Sequence, residues 1–270
     1  MNRLEAIRGR RSVRAFEPEP LKSEDIEKLN AFAEKIENPY GIPVRFKILN
    51  AKENGLTSTV IKGAEYYVTG MITSVPHAEE AFGYSFEVLV LYAQSLGIGT
   101  TIIAGTMDRP AFERASELKD GERMPCVSPI GYPAAKMSTR EKMMRIGVKA
   151  DSRLEFEKLF FCENFDTPLT KEAAGEFATA LEMVQLAPSA VNKQPWRVVL
   201  KDGKAHFYEK QNGGYVASDG WDLQKIDLGI ALCHFAAAAE ECGKKAVFAV
   251  EDPGIEVPEG VRYIGTYSVC

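Results

Sequence analysis

Three short stretches of this 270-residue sequence carry side chains able to do chemistry together. The first is Arg10-Arg11-Ser12-Val13-Arg14-Ala15-Phe16. Guanidiniums present planar donor forks that match phosphate oxygens, and the Ser12 hydroxyl adds a further donor, so this run can grip a phosphate. It can equally be a solvated basic helix end, where cations complement the helix dipole. The second stretch, Ala187-Pro188-Ser189-Ala190-Val191-Asn192-Lys193-Gln194-Pro195-Trp196, lies between a helix pattern and a strand pattern. Pro, Ser and Asn are ordinary at a helix exit, but this order of polar groups is unusual. The third, Pro129-Ile130-Gly131-Tyr132-Pro133, follows another small turn, Leu96-Gly97-Ile98-Gly99-Thr100. Short Gly-containing turns are common, so the order of these two carries more information than either alone.

Composition narrows what such stretches can serve. With 45% hydrophobic and 26% charged residues, the chain is globular and long enough for one large domain or two smaller ones. A net charge of −5 argues against broad attraction to nucleic acid or anionic lipid and leaves the Arg8 to Arg14 cluster suited to a small anion. The first residues lack the apolar stretch of a signal peptide. Val88 to Met107 approaches membrane-span length but is interrupted by Gln94, Ser95, Gly97 and Gly99, and reads as helix, turn and strand. Five cysteines without a CxxC pair and three histidines without partners at ligand spacing predict no metal site and no disulfide framework. That cysteine usage fits a reducing cytoplasm.

The elements that must position the three stretches occur twice. An amphipathic helix through Leu4 and Ile7 opens the chain, and a second helix is expected from Ser23, read as its N-cap. Alternation predicts a strand over Val44 to Leu49 and another at Tyr66 to Val68. A long apolar helix from about Ala78 to Leu96 stops at Gly97. The order then returns: Phe16, Pro20, Leu21 and Glu24 are echoed by Phe165, Pro168, Leu169 and Glu172, leading to a helix that ends at Ala187-Pro188 and a strand over Arg197 to Leu200. Asp227 to Lys244 echoes the long helix, and Ile264-Gly265 echoes Ile130-Gly131. Such self-similarity predicts two diverged copies of one α+β unit, residues 1–154 and 155–270, packed as a pseudo-dimer with helices around mixed, mainly antiparallel sheets.

Together the first two stretches resemble the nitroreductase family, whose protomers carry an Arg-x-Ser-x-Arg/Lys run near the N-terminus and a Pro-Ser-x-x-Asn-x-Gln-Pro-Trp run. Gly131-Tyr132-Pro133 resembles the family's Gly-Tyr-Pro strand end, and Leu96 to Thr100 its Leu-Gly-Leu-Gly-Thr turn. The resemblance spans nearly the whole chain and is nearest to tandem, pseudo-dimeric members. It implies one FMN. Arg10, Arg11, Ser12 and Arg153 would lie at the phosphate, Arg14 and Lys62 at the polar edge of the ring, and the backbone of Pro129, Ile130 and Gly131 against the ring. Pro188, Ser189, Ala190 and Asn192 would hold the ring and ribityl chain. This chain departs from the family by splitting the motifs: Asn38-Pro39-Tyr40 stands in the first half where Pro-Ser-x-x-Asn would be, and Asn164-Phe165-Asp166 in the second where the arginines would be. Only one of two pseudo-symmetric clefts is then complete.

The resemblance further implies an enzyme that takes hydride from NAD(P)H and passes it to a nitroaromatic, quinone or similar small electrophile. The chemistry resides in the flavin, with no protein nucleophile or general acid required. Reductive dehalogenation, or flavin binding without catalysis, are the alternatives, because fold does not fix function. One chain suffices for the site, and neither nucleic acid nor membrane is an expected partner.

Overall fold

The computed structural model describes residues 1–218 and 220–270. Contacts divide the chain into two compact units, one of Met1 and Gly9–Val148, the other of Asn2–Arg8 and Lys149–Cys270. The repeat boundary expected after Leu154 falls inside the second of these contact units. The connecting residues are tied into the second unit, where Leu154 N–H donates to Gln194 Oε1 at 2.9 Å and Gln185 Nε2 donates to the Leu154 carbonyl at 2.7 Å. The opening helix α1 (Arg3–Gly9) also belongs mainly to the second unit, held by Arg3 against Glu240 at 2.7 Å and Glu241 at 3.3 Å.

In the first unit, α2 (Ser23–Ala33) leads into strand β1 (Val44–Asn50), a short helix α3 (Ala51–Asn54) and strand β2 (Tyr66–Thr73). Ser23 is not the cap: Lys22 holds that position, with φ −62° and ψ 142°, and no side chain caps the helix. Helix α4 (Ala78–Ser95) follows, apolar around most of its circumference and accordingly buried. Gly97, at φ +76°, turns the chain away from its end into β3 (Gly99–Thr100). Then come α5 (Arg109–Ser116), β4 (Glu122–Arg123), β5 (Val127–Gly131) and α6 (Thr139–Gly147). The sheet runs β1-β2-β5-β3 with every pairing antiparallel, and β4 also pairs with β2.

The second unit continues with α7 (Phe156–Leu159), β6 (Phe160–Cys162) and a 3₁₀ turn at Gly175–Phe177 that runs into α8 (Ala178–Gln185). The expected helix from Glu172 is thus shorter and begins later. Strands β7 (Trp196–Lys201) and β8 (Lys204–Lys210) precede α9 (Leu223–Glu241), and β9 (Ala246–Ala249) and β10 (Val261–Val269) close the chain. Helix α9 is buried along nearly its whole length and has Asp222 as its N-cap. Its sheet runs β6-β7-β8-β10-β9, with β6 parallel to β7 and the other pairs antiparallel. Each unit therefore places a long buried helix between its second and third strands of matching order, β1-β2-β5-β3 in one and β7-β8-β10-β9 in the other.

Among the described residues no helix is long and apolar enough to cross a membrane. Among the described residues no disulfide joins any of the five cysteines.

Gly63 holds the segment beside the arginine run. It sits at φ +81°, and a Cβ there would come within 2.8 Å of the Phe16 carbonyl oxygen, a backbone atom that cannot swing aside. Gly63→Ala is expected to destabilise the protein by about 1–3 kcal/mol through overpacking and left-handed strain. Thermal unfolding of the variant against wild type checks this, and an unchanged midpoint would refute it.

Candidate functional site

In the first unit the arginine run leaves α1 and becomes extended. Ser12 bridges to Thr100, Val13 N–H donates to the Thr100 carbonyl at 2.8 Å, and Ala15 bridges to Lys62. Extended residues alternate faces. Val13 and Ala15 are buried, while Ser12 and Arg14 lie on the other, partly open side. Lys62 N–H donates to the Arg14 carbonyl at 2.9 Å and Phe16 N–H to the Lys62 carbonyl at 3.0 Å, so Lys62 is fixed beside the run. Thr100 pairs in turn with Ile130, and Gly99 with Gly131. Arg10, Arg11, Ser12, Arg14 and Lys62 are thereby gathered around the end of β5 that carries Pro129, Ile130 and Gly131. Gly131 packs so closely on Phe16 that a Cβ would meet its ring carbon at 2.9 Å.

The charges around the run are unevenly matched. Arg10 Nε lies 3.7 Å from Oε1 of the fully buried Glu87, too far for a hydrogen bond. Arg11 Nη1 donates to Glu141 Oε1 at 3.1 Å. Burial pulls the Arg14 guanidinium below its ordinary range; Glu141 opposes the shift and the nearby cation of Arg145 adds to it. Arg10 Nε and Arg14 Nε are both buried without a hydrogen-bond partner among the described residues. Buried donors left unmatched in a protein commonly mark a place for water or an ion, and here they are cationic. The residues present therefore fit a phosphate-bearing group.

Sequence reasoning passed over Glu87, Glu141 and Arg145. One signal was available for Glu141: Ser138-Thr139-Arg140-Glu141 has the spacing of a capping box, and Ser138 Oγ does accept the Glu141 N–H at 3.1 Å.

In the second unit the Pro188 to Trp196 stretch forms a tight turn. Ser189 Oγ accepts the Gln194 N–H at 2.8 Å, Asn192 N–H donates to the Ser189 carbonyl at 3.0 Å, and Asn192 Nδ2 donates to the carbonyls of Lys149 at 2.7 Å and Ser152 at 3.1 Å. Val191, Asn192 and Gln194 have φ of +50°, +56° and +50°. Left-handed conformations cost non-glycine residues of order 1–3 kcal/mol each and persist only where the surroundings enforce them. The Ala190 N–H is committed to Asp227 on α9, 3.1 Å from each carboxyl oxygen. Arg153 donates to the carbonyls of Ala150 at 3.0 Å, Ser152 at 2.8 Å and Leu186 at 3.3 Å. The structure thus brings Arg153, Ser189, Ala190 and Asn192 together within this unit.

Behind the turn lies a buried polar patch. Trp196 pairs across the sheet with Glu209, and Trp196 Nε1, both Glu209 oxygens and Gln224 Nε2 are buried without well-formed hydrogen bonds. Burial pushes the Glu209 carboxyl up to about 8, helped by the negative charge of Asp222. Among the described residues no group of His, Cys, Asp or Glu is arranged to hold a metal ion.

This arrangement is carried on a fold seen before. The structure matches that of a Thermotoga maritima protein described as a "putative nitroreductase", with a TM-score of 0.63 and 22% identity over 99% of this chain and 92% of that one. The chain belongs to the family described as "Putative TM nitroreductase", which it matches over residues 2–239. Two half-length similarities are weaker. An FMN-dependent nitroreductase from Clostridium difficile aligns with 50% of this chain and 90% of its own, at 17% identity and a TM-score of 0.42. An iodotyrosine deiodinase bound to FMN and 3-iodo-L-tyrosine aligns with 50% and 92%, at 18% and 0.42. No curated protein matches the sequence.

Glu209 generates a pH prediction. An unfolded glutamate ionises near 4.5, whereas folded Glu209 keeps its proton to about 8. Between those values the native state binds more protons, so stability falls as pH rises across the window, by on the order of 2–4 kcal/mol. Glu209→Gln should flatten that slope and be more stable than wild type at pH 8. Urea unfolding of both proteins at pH 5 and pH 8 measures it, and parallel slopes would refute it.

Proposed function

We propose that this chain is an FMN-dependent oxidoreductase that takes hydride from NAD(P)H and delivers it to a nitroaromatic, quinone or similar small electrophile. The observation that carries the proposal is the arginine run: the buried Nε donors of Arg10 and Arg14, without a hydrogen-bond partner among the described residues, beside Ser12, in a chain of nitroreductase fold and family. FMN, when bound, would supply the redox chemistry. Arg10, Arg11 and Ser12 would bind its phosphate with Arg153, and Arg14 and Lys62 would present cations to the ring edge where reduction places negative charge. Backbone groups of Pro129, Ile130 and Gly131 would lie along the ring, and Pro188, Ser189, Ala190 and Asn192 would hold ring and ribityl chain.

We further infer that the two units are diverged copies of one protomer. Their matching strand order and helix placement support this. So does the division of the motifs, with the arginines confined to the first unit and Pro188-Ser189-x-x-Asn192 to the second. One flavin site per chain follows, complete without a second copy. The free cysteines accord with a cytoplasmic location.

Purified protein is expected to show flavin absorption and to release one FMN per chain; a stoichiometry of two would refute the division of motifs. Steady-state NAD(P)H oxidation with nitroaromatic, quinone and halogenated acceptors then tests the reaction. Turnover only with halogenated acceptors would favour a dehalogenase, and none at all a flavin carrier.

Arg10→Ala and Arg153→Ala are each expected to weaken FMN binding by roughly 1.5–3 kcal/mol, the range for hydrogen bonds to charged groups. Titration of apoprotein with FMN, followed by flavin fluorescence, checks this. Unchanged affinity in both variants would overturn the phosphate assignment.

A further inference from the structure

The Ser189–Gln194 turn needs something outside itself to keep its shape. Its internal bonds, Asn192 N–H to the Ser189 carbonyl, Lys193 N–H to the Ala190 carbonyl at 3.1 Å and Gln194 N–H to Ser189 Oγ, close a compact loop. Yet three of its side-chain-bearing residues stand at positive φ, among them the β-branched Val191, for which that region is a genuine outlier. Val191 is also largely exposed, so side-chain packing does little to hold it there.

The restraint comes from α9. Asp227 lies on that helix five residues after its cap and is buried, and both its oxygens are 3.1 Å from the Ala190 N–H. The helix is itself anchored at this end. Asp222 accepts the Gln224 N–H at 3.0 Å and Gln211 Nε2 at 3.1 Å, and Gln224 Oε1 accepts the Asn212 N–H at 2.6 Å. A carboxyl fixed in this way leaves the first amide of the turn little freedom.

We propose that Asp227 is a positioning residue: by accepting the Ala190 N–H it holds the strained Ser189–Gln194 turn in the one shape that sets where Ser189 and Asn192 lie. The consequence for flavin rests on the function proposed above; the consequence for the turn does not. Burial, with the acidic groups Asp222 and Glu209 nearby, holds the Asp227 carboxyl well above the usual carboxylate range, against the opposing pull of the Ala190 N–H. In either protonation state the carboxyl keeps an oxygen that can accept the Ala190 N–H. An asparagine can take its place and an alanine cannot.

The test uses the full chain as Asp227→Ala and Asp227→Asn, with circular dichroism to establish that each is folded. Amide hydrogen exchange across residues 188–196 reads the turn directly, and titration of apoprotein with FMN reads the site. In Asp227→Ala, exchange at Ala190 and FMN Kd are each expected to rise about tenfold or more, as for loss of a buried donor's partner. Asp227→Asn should return both to within about threefold of wild type and restore the absorption spectrum of bound flavin. A merely structural role would not separate the two variants in that way. Should Asp227→Ala fail to fold, Ala190→Pro removes the same donor from the other side. Ser189, at φ −145° and ψ 160°, already has the backbone that precedes proline, and the same losses are expected in FMN Kd and in exchange at the remaining amides of the turn, Asn192 to Gln194.

Exchange and affinity unchanged in the alanine variant would overturn the proposal, as would an asparagine variant as impaired as alanine. If wild type binds no FMN, the flavin reading fails. Faster exchange in Asp227→Ala would then still uphold the restraint on the turn, and unchanged exchange would overturn it.

Discussion

A guanidinium removed from water must find acceptors or an anion, and the first unit is organised around meeting that demand only in part. Glu87, fully buried on α4, stands off Arg10 at 3.7 Å, and Glu141 from α6 takes Arg11. Arg14 has only the more distant field of Glu141, opposed by Arg145. Removing ions from water is costly, and it is offset only when geometry and hydrogen bonds are good. Here the carboxylates reduce the cost of holding the arginines in place without saturating them. The extended backbone from Ser12 to Phe16, stitched to Thr100 on one side and Lys62 on the other, keeps the run from relaxing toward solvent.

The two long helices answer the same problem in different ways. Each is apolar on nearly every side and fits only in a core. Each also carries a carboxyl where apolar residues would pack more simply, and each of these faces one of the chemically distinctive segments. Glu87 on α4 meets the arginine run with charge, while Asp227 on α9 meets the Ala190 amide as a hydrogen-bond acceptor. Rigid helices thus transmit the order of each unit's core to a loop that has none of its own.

Much of this was legible in the residues. Alternation located β1, the long apolar run located α4 with its stop at Gly97, and the echo of that run over Asp227 to Lys244 located α9. The motif residues fell on the segments that the structure gathers in each unit. What stayed hidden has physical reasons. Strand β8 buries His206 and Glu209 alongside its apolar residues, so its sequence shows no alternation for a period-of-two reading to detect. Ser23 offered a good cap, but the chain enters α2 one residue earlier, since an N-cap preference of about 1 kcal/mol yields to tertiary context. Glu87, Arg145 and Asp227 matter through partners distant in sequence, which no local pattern encodes. The hydrogen bonds that tie Leu154 to Gln185 and Gln194 are invisible to composition for the same reason.

Helix α1 has a further consequence, for the order in which the chain can assemble. Arg3 reaches Glu241 across 238 residues of sequence. During synthesis α1 is made well before its partner on α9, which follows 238 residues later. Contacts this remote are entropically expensive to close and tend to slow folding. The Gly9–Val148 unit has its own strands in hand early and can fold as the chain grows. The other unit must wait for α9, with Asn2 to Arg8 left as an unsecured tether until that helix is made.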